Sequence, residues 1–147
     1  ASKALIEVLK KEDAWGIRHR IATHALGHLG DKSAITVLAQ LASKHHWHRV
    51  REAAANALGN FPHPEAIEAL TTLLTDSDYA VQCAAATSLG ILAKENQGEN
   101  RTSTSESTAT ETLCEVLLKP DAWGLLQTAS VIALTSTEDP IAIPSLL

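Results

Sequence analysis

Through most of this chain apolar residues recur three and four positions apart, the spacing that gives an α-helix one buried stripe. From Val50 the stripe runs through Ala53, Ala54, Ala57 and Leu58, with Arg51, Glu52 and Asn56 between them. A second helical pattern lies upstream, opening at Ala34-Ile35 with Leu38. The same opening returns as Ala66-Ile67 with Leu70 and as Ala142-Ile143 with Leu146. The pattern predicts pairs of helices joined by short turns. Pro62, Pro64 and Pro140 are placed to restart the chain at the first helix of a pair. Gly27, Gly59 and Gly90 each follow a Leu and read as helix ends, where a left-handed residue costs glycine little.

The pairs repeat. Val50-Arg51-Glu52-Ala53-Ala54-Ala55-Asn56-Ala57-Leu58-Gly59 matches Val81-Gln82-Cys83-Ala84-Ala85-Ala86-Thr87-Ser88-Leu89-Gly90 at an offset of 31, and Leu26-Gly27 stands 32 residues before Leu58-Gly59. Leu5 to Gly16 returns as Leu113 to Gly124, with nine of twelve positions identical at an offset of 108. One hairpin of this kind cannot bury its own apolar face, so stacking of neighbours must supply the core. The expected fold class is therefore all-α, a right-handed α-solenoid. A single domain over 1–147 is expected, with repeats near 1–30, 31–62, 63–95 and 111–138 and the start of a fifth at 139–147. The apolar ending Leu146-Leu147 suggests further repeats beyond it. Residues 96–110, NQGENRTSTSESTAT, read as a Ser/Thr-rich, mobile loop insertion between the third and fourth repeats.

These residues resemble HEAT repeats, in particular the short form of phycobilisome-lyase-type HEAT-like proteins. The resemblance rests on acidic residues before the second helix (Asp13, Asp76, Asp78, Asp121), on Val50-Arg51, on the Ala-rich run closing in Leu-Gly, and on the short period. It implies second helices lining a concave surface that grips another protein. Relatives of this type include bilin lyases, di-iron hydroxylases of a modified lysine, and proteins that recognise damaged DNA. Their fold carries over more securely than their activities.

Charge sharpens the picture. Net charge is −5, yet residues 1–51 hold nine Lys and Arg against four Asp and Glu, and six of the seven His. The first part is thus basic and the rest acidic, a polarity that orients partners without dictating fold. Aromatics make up 3% and Ala and Leu abound, which suits close-packed helices over strands. No stretch approaches the roughly 20 apolar residues of a membrane span. Two cysteines, Cys83 and Cys114, are too few for a disulfide framework, so a cytoplasmic, reducing setting and no membrane partner are expected.

Candidate chemistry lies on the second helices. Equivalent positions form rows: His19, Arg51, Gln82 and Gln127; then Arg20, Glu52, Cys83 and Thr128; then His24, Asn56, Thr87 and Ile132. Polar rows that change from repeat to repeat are what a recognition surface needs. A protein-binding site is therefore expected at His19, Arg20, His24, Arg51, Glu52, Asn56, Gln82, Thr87 and Gln127. Arg18, Arg20, Arg49 and Arg51 form a basic cluster that offers nucleic-acid binding as an alternative. A bilin lyase or lyase subunit is the other alternative. Zinc needs three or four converging ligands. His24 and His28 are four apart, with His45, His46 and His48 elsewhere, but Gly27 is expected to end the helix before His28. No His-Glu dipeptide of the hydroxylase type occurs either. No metal, cofactor or catalytic residue is expected. Trp15, Trp47 and Trp123 share one position before a second helix and read as plugs between hairpins, the competing reading being an exposed stacking platform. Cys83 has no activating neighbour in sequence and reads as structural.

Overall fold

A computed structural model describes residues 1–12, 14–95, 113–115 and 131. Six α-helices and one 3-10 turn follow in order, with no strand among the described residues. They are α1 (Ser2–Leu9), α2 (Ile17–Leu29), the 3-10 turn Lys32–Ala34, α3 (Ile35–Lys44), α4 (His48–Leu58), α5 (Pro64–Leu73) and α6 (Tyr79–Glu95). Each odd helix packs on the even helix after it. The second helices pack in a row, α2 on α4 and α4 on α6, while α3 packs on α5 in the other layer. The result is an all-α, two-layered helical solenoid. The fourth and fifth repeats and the 96–110 insertion fall outside the described residues, apart from Leu113–Glu115 and Val131.

Local chemistry sets the boundaries. Gly16 and Gly30 carry positive φ, 66° and 65°, and bracket α2 on either side. Asp31 then caps the 3-10 turn, its Oδ1 accepting the Ser33 N–H at 3.0 Å. Pro64 occupies the first turn of α5, where its missing N–H leaves no helical bond unmade. Asp78 opens α6 by accepting the Ala80 N–H at 2.9 Å.

The core follows the apolar stripes. Leu26, Leu38, Leu58, Leu70, Leu89 and Leu92 are fully buried between the layers, and Leu113 and Cys114 join them. Fully burying such a side chain is worth roughly 1.5–3 kcal/mol relative to leaving it in water. Ala53 departs from the stripe expected for α4: it is only partly buried, while Ala54, Ala57 and Leu58 face the core.

Of the three Leu-Gly glycines, only Gly59 ends a helix, and none of the three is the left-handed residue expected of such an end. Gly27 lies inside α2 and Gly90 inside α6, while Gly59 follows α4 in ordinary right-handed backbone, φ −60°. The reason for glycine is space. A Cβ on Gly27 would sit 2.9 Å from the Ala57 Cβ, and one on Gly59 would sit 2.8 Å from the Ser88 Oγ. Asn60 Nδ2 donates to the Gly27 carbonyl at 3.3 Å, and the Ser88 hydroxyl donates to the Ala55 carbonyl at 3.0 Å. Each glycine thus lets one second helix rest against a small residue of the next.

Candidate functional site

One polar residue in the first turn of each second helix, His19, Arg51 or Gln82, turns inward. His19 is 6% exposed. Its Nε2 donates to the Lys11 carbonyl at 2.7 Å, in the turn of its own hairpin, and its Nδ1 meets His45 Nε2 at 2.9 Å, in the turn of the next. His45 Nδ1 accepts the Trp47 N–H at 3.1 Å, which leaves the His45 proton on Nε2, pointing at His19. Arg51 repeats the arrangement one hairpin on. Its Nη1 donates to the His45 and His46 carbonyls at 3.0 and 3.3 Å, and its Nε and Nη2 grip both oxygens of Asp76 at 2.9 and 2.8 Å. Gln82 Nε2 donates to the Asp76 carbonyl at 2.6 Å. Gln82 Oε1 is buried and has no hydrogen-bond partner among the described residues.

His19, Arg51 and Gln82 therefore form a ladder that stitches hairpin turns together. The sequence expectation that they line an exposed row is corrected: the ring nitrogens of His19, the guanidinium of Arg51 and the Gln82 Nε2 are spent on the turns. The Arg51–Asp76 pair is bidentate, with side chains 13% and 10% exposed. Burial pushes the Asp76 carboxyl upward, but the Arg51 guanidinium, the Asp78 N–H and the nearby His48 outweigh it and hold the group below its ordinary value. Gln127, the fourth member expected in this row, lies outside the described residues.

The next positions along the helices behave differently. Arg20, Ile21 and His24 of α2 and Arg49, Glu52, Ala53 and Asn56 of α4 line a groove of about 400 Å³. Arg20, His24, Glu52 and Asn56, placed in two rows by sequence, are brought to this one recess. Ile21, Ala53 and Arg49 were not anticipated there. Thr87 is exposed one helix further along, its hydroxyl donating to the Cys83 carbonyl at 2.9 Å.

A family model of HEAT repeats matches residues 2–90 and again 48–135. The chain belongs to the HEAT-repeat family. Its HEAT solenoid is similar to solved structures from three settings. The complex of CpcE and CpcF of phycocyanin lyase from Nostoc sp. PCC7120 matches with a TM-score of 0.70 and 24% identity, over 97% of this chain and 85% of that one. An engineered protein matches with a TM-score of 0.62 and 26% identity, over 99% of this chain and 66% of that one. Human deoxyhypusine hydroxylase in complex with glycerol matches with a TM-score of 0.58 and 20% identity, over 97% of this chain and 54% of that one. The chain thus spans only part of the last two. No curated protein sequence matches the chain. At these identities the structural likenesses speak for fold.

The HEAT repeats divide the expected basic cluster. Arg51 is neutralised by Asp76, and Arg18 Nη2 donates to the Glu12 carbonyl at 2.9 Å. Arg49 stands 3.9 Å from Glu52, a loose and exposed contact. Arg20 forms no ion pair among the described residues and faces the groove.

His24 and His28 also differ from expectation. Helix α2 continues through Gly27 to Leu29, so the two rings share a face and meet edge to face with centroids 4.5 Å apart. Among the described residues no three His, Cys, Asp or Glu side chains gather as a metal site.

The tryptophans split. Trp47 is 36% exposed and lies against Gly16, whose added Cβ would fall 3.0 Å from the Trp47 Cδ1; Trp15 is 76% exposed, against the packing expectation. Trp123 lies outside the described residues. Cys83 is half-buried beside Tyr79, and burial first, then that thiol, push the Tyr79 phenol up to about 12. No helix among the described residues is long and apolar enough to cross a membrane.

Proposed function

We propose that this HEAT solenoid is a non-catalytic scaffold that binds a protein partner across the face of its second helices, in the cytoplasm. The observation that carries the reading is the α2–α4 groove. There Arg20, His24, Glu52 and Asn56 reach solvent from a two-helix floor, while the ladder residues beside them are occupied. A preformed recess with several polar groups around an apolar patch is what recognition requires, because little ordering cost is left for the moment of binding. The neighbouring fold of CpcE and CpcF occurs in a two-protein complex, which supports a protein as the partner class. That same likeness is what favours the second reading, a lyase subunit. A nucleic-acid track finds less support: two of the four arginines are engaged within the fold, and phosphate binding draws on many cations at once.

The test places a photo-crosslinking amino acid at Asn56, in the groove, or at Glu68, exposed on α5 in the other layer. Irradiation in nuclease-treated source lysate should give a discrete protein adduct from position 56 and none from 68. Equal adducts from both, or none from 56, would refute the scaffold reading. A visible chromophore retained after mixing with a bilin would move the assignment to the lyase subunit.

A further inference from the structure

The groove and its rim carry a particular chemistry. Arg20 and Arg49 stand on opposite walls, one from each helix, and Glu52, the sole carboxylate lining the recess among the described residues, is held only loosely by Arg49 at 3.9 Å. The walls therefore present more positive charge than they neutralise, in a part of the chain that is basic overall. Beside the arginines α2 turns large apolar side chains to water. Ile21 is 62% exposed, Ile17 one turn earlier is 55% exposed, and Trp15, two residues before the helix, is 76% exposed. A single exposed isoleucine is ordinary, but three large apolar residues within seven positions, next to an arginine with no ion pair among the described residues, form a patch with an occupant to explain. None of them is used by the core or the ladder.

We propose that this groove and ridge receive an acidic protein segment. Its carboxylates meet Arg20 and Arg49, and its own large apolar side chains cover Trp15, Ile17 and Ile21. The inference rests on the scaffold reading and narrows the partner to one chemical class. Arginine suits carboxylates because its fork of donors matches both oxygens. Asn56 and His24 add further polar contacts along the same recess. Cations on both walls of a groove favour a protein segment over an anionic bilayer, since a flat surface would cover Trp15 and Ile17 without entering between α2 and α4. Aliphatic Ile17 and Ile21 also offer bases no stacking platform.

The experiment uses the full chain and three labelled synthetic peptides read by fluorescence anisotropy: one mixing Glu with Leu, one with Lys replacing each Glu, and one with Ser replacing each Leu. The Glu/Leu peptide should bind about tenfold or more tightly than either control, a difference of roughly 1.4 kcal/mol, and should weaken as salt rises. Arg20→Glu with Arg49→Glu should abolish that preference. Arg20→Gln with Arg49→Gln should reduce it, and Ile21→Ser should weaken the Glu/Leu peptide alone, with far-UV circular dichroism unchanged in each. Equal binding of the Lys/Leu peptide, indifference to the arginine variants, or equally strong capture by phosphatidylserine vesicles would overturn the proposal. If it falls while Asn56 still crosslinks a protein, the scaffold stands with a different partner chemistry; if both fail, the scaffold falls with it.

Discussion

Replacing Arg51 by Ala tests whether the ladder, rather than partner binding, is what this residue does. In the intact pair the Asp76 side chain is 10% exposed; the substitution leaves its carboxylate with the Asp78 N–H at 2.8 Å as its remaining hydrogen bond, and His48 Nδ1 stands 4.0 Å from Asp78. Removing one partner of a buried ion pair costs about 3–5 kcal/mol, and the residual exposure of both side chains places this case near 3 kcal/mol. The freed His45 and His46 carbonyls are reached by water and add little. Against a total domain stability of about 5–15 kcal/mol, that loss is large. Asp76→Asn keeps an acceptor for the guanidinium and should cost less, about 1–2 kcal/mol. Combining Arg51→Ala with Asp76→Ala should cost clearly less than the sum of the single changes, because neither charge is then stranded.

The pH dependence fixes the cause. Asp76 has its carboxyl held below the ordinary value in the fold. Its contribution is therefore fully present above the unfolded pKa, about 3.9, and disappears as pH falls through the lower folded value. Urea titrations followed by circular dichroism should show a constant gap between wild type and Arg51→Ala from neutral pH down to about pH 5, closing below about pH 4. A gap under about 0.5 kcal/mol at neutral pH, strict additivity of the double variant, or a gap that closes near pH 6 would refute the reasoning.

Gly27→Ala gains about 1 kcal/mol of helix propensity but must part α2 from α4, at about 1–3 kcal/mol. It should lower the urea midpoint, and adding Ala57→Gly should restore part of the loss. Gly30→Ala has open space around it but a φ of 65°, so it should cost about 1–2 kcal/mol with no rescue from Ala57→Gly. Trp15→Ser should leave stability within about 0.5 kcal/mol in the same titrations, because that ring is mostly in water, whereas Trp47→Ser, which uncovers Gly16, should cost about 1–2 kcal/mol.

The solenoid was legible because burial in a helical hairpin depends on periodicity, which sequence displays directly. Leu26, Leu58 and Leu89 recur with the repeat and are all fully buried. The ladder was not legible, because a polar residue beside an apolar stripe reads as solvated unless its partner is known. For Arg51 that partner, Asp76, stands 25 residues away in another turn. A signal is present, since Asp76 is an acidic residue just before a second helix, yet nothing in one sequence aims it at Arg51. Glycine misled for a similar reason. A Leu-Gly ending reads as a cap, while the small residues Ala57 and Ser88, which show that the glycines are contact points, belong to the following repeat. That error carried the wrong expectation for His28, since a helix ended at Gly27 cannot place it above His24. Trp15 and Trp47 share a repeat position but not an environment: Trp47 lies against Gly16 of the preceding hairpin, whereas Trp15 is mostly in water.

Position along each second helix decides which task a side chain can take. Residues in the first turn, His19, Arg51 and Gln82, start beside two hairpin turns whose backbone carbonyls need donors, and their polar atoms are drawn there. One position and one turn further on, Arg20 and His24, and Glu52 and Asn56, clear those turns and line the groove. Arg51→Ala should therefore lower stability while leaving peptide preference intact, and the paired changes at Arg20 and Arg49 should do the reverse. The separation follows from the stacking itself: the contacts that fix one hairpin on the next are complete without the groove, so the groove is free to vary from repeat to repeat without loosening the solenoid.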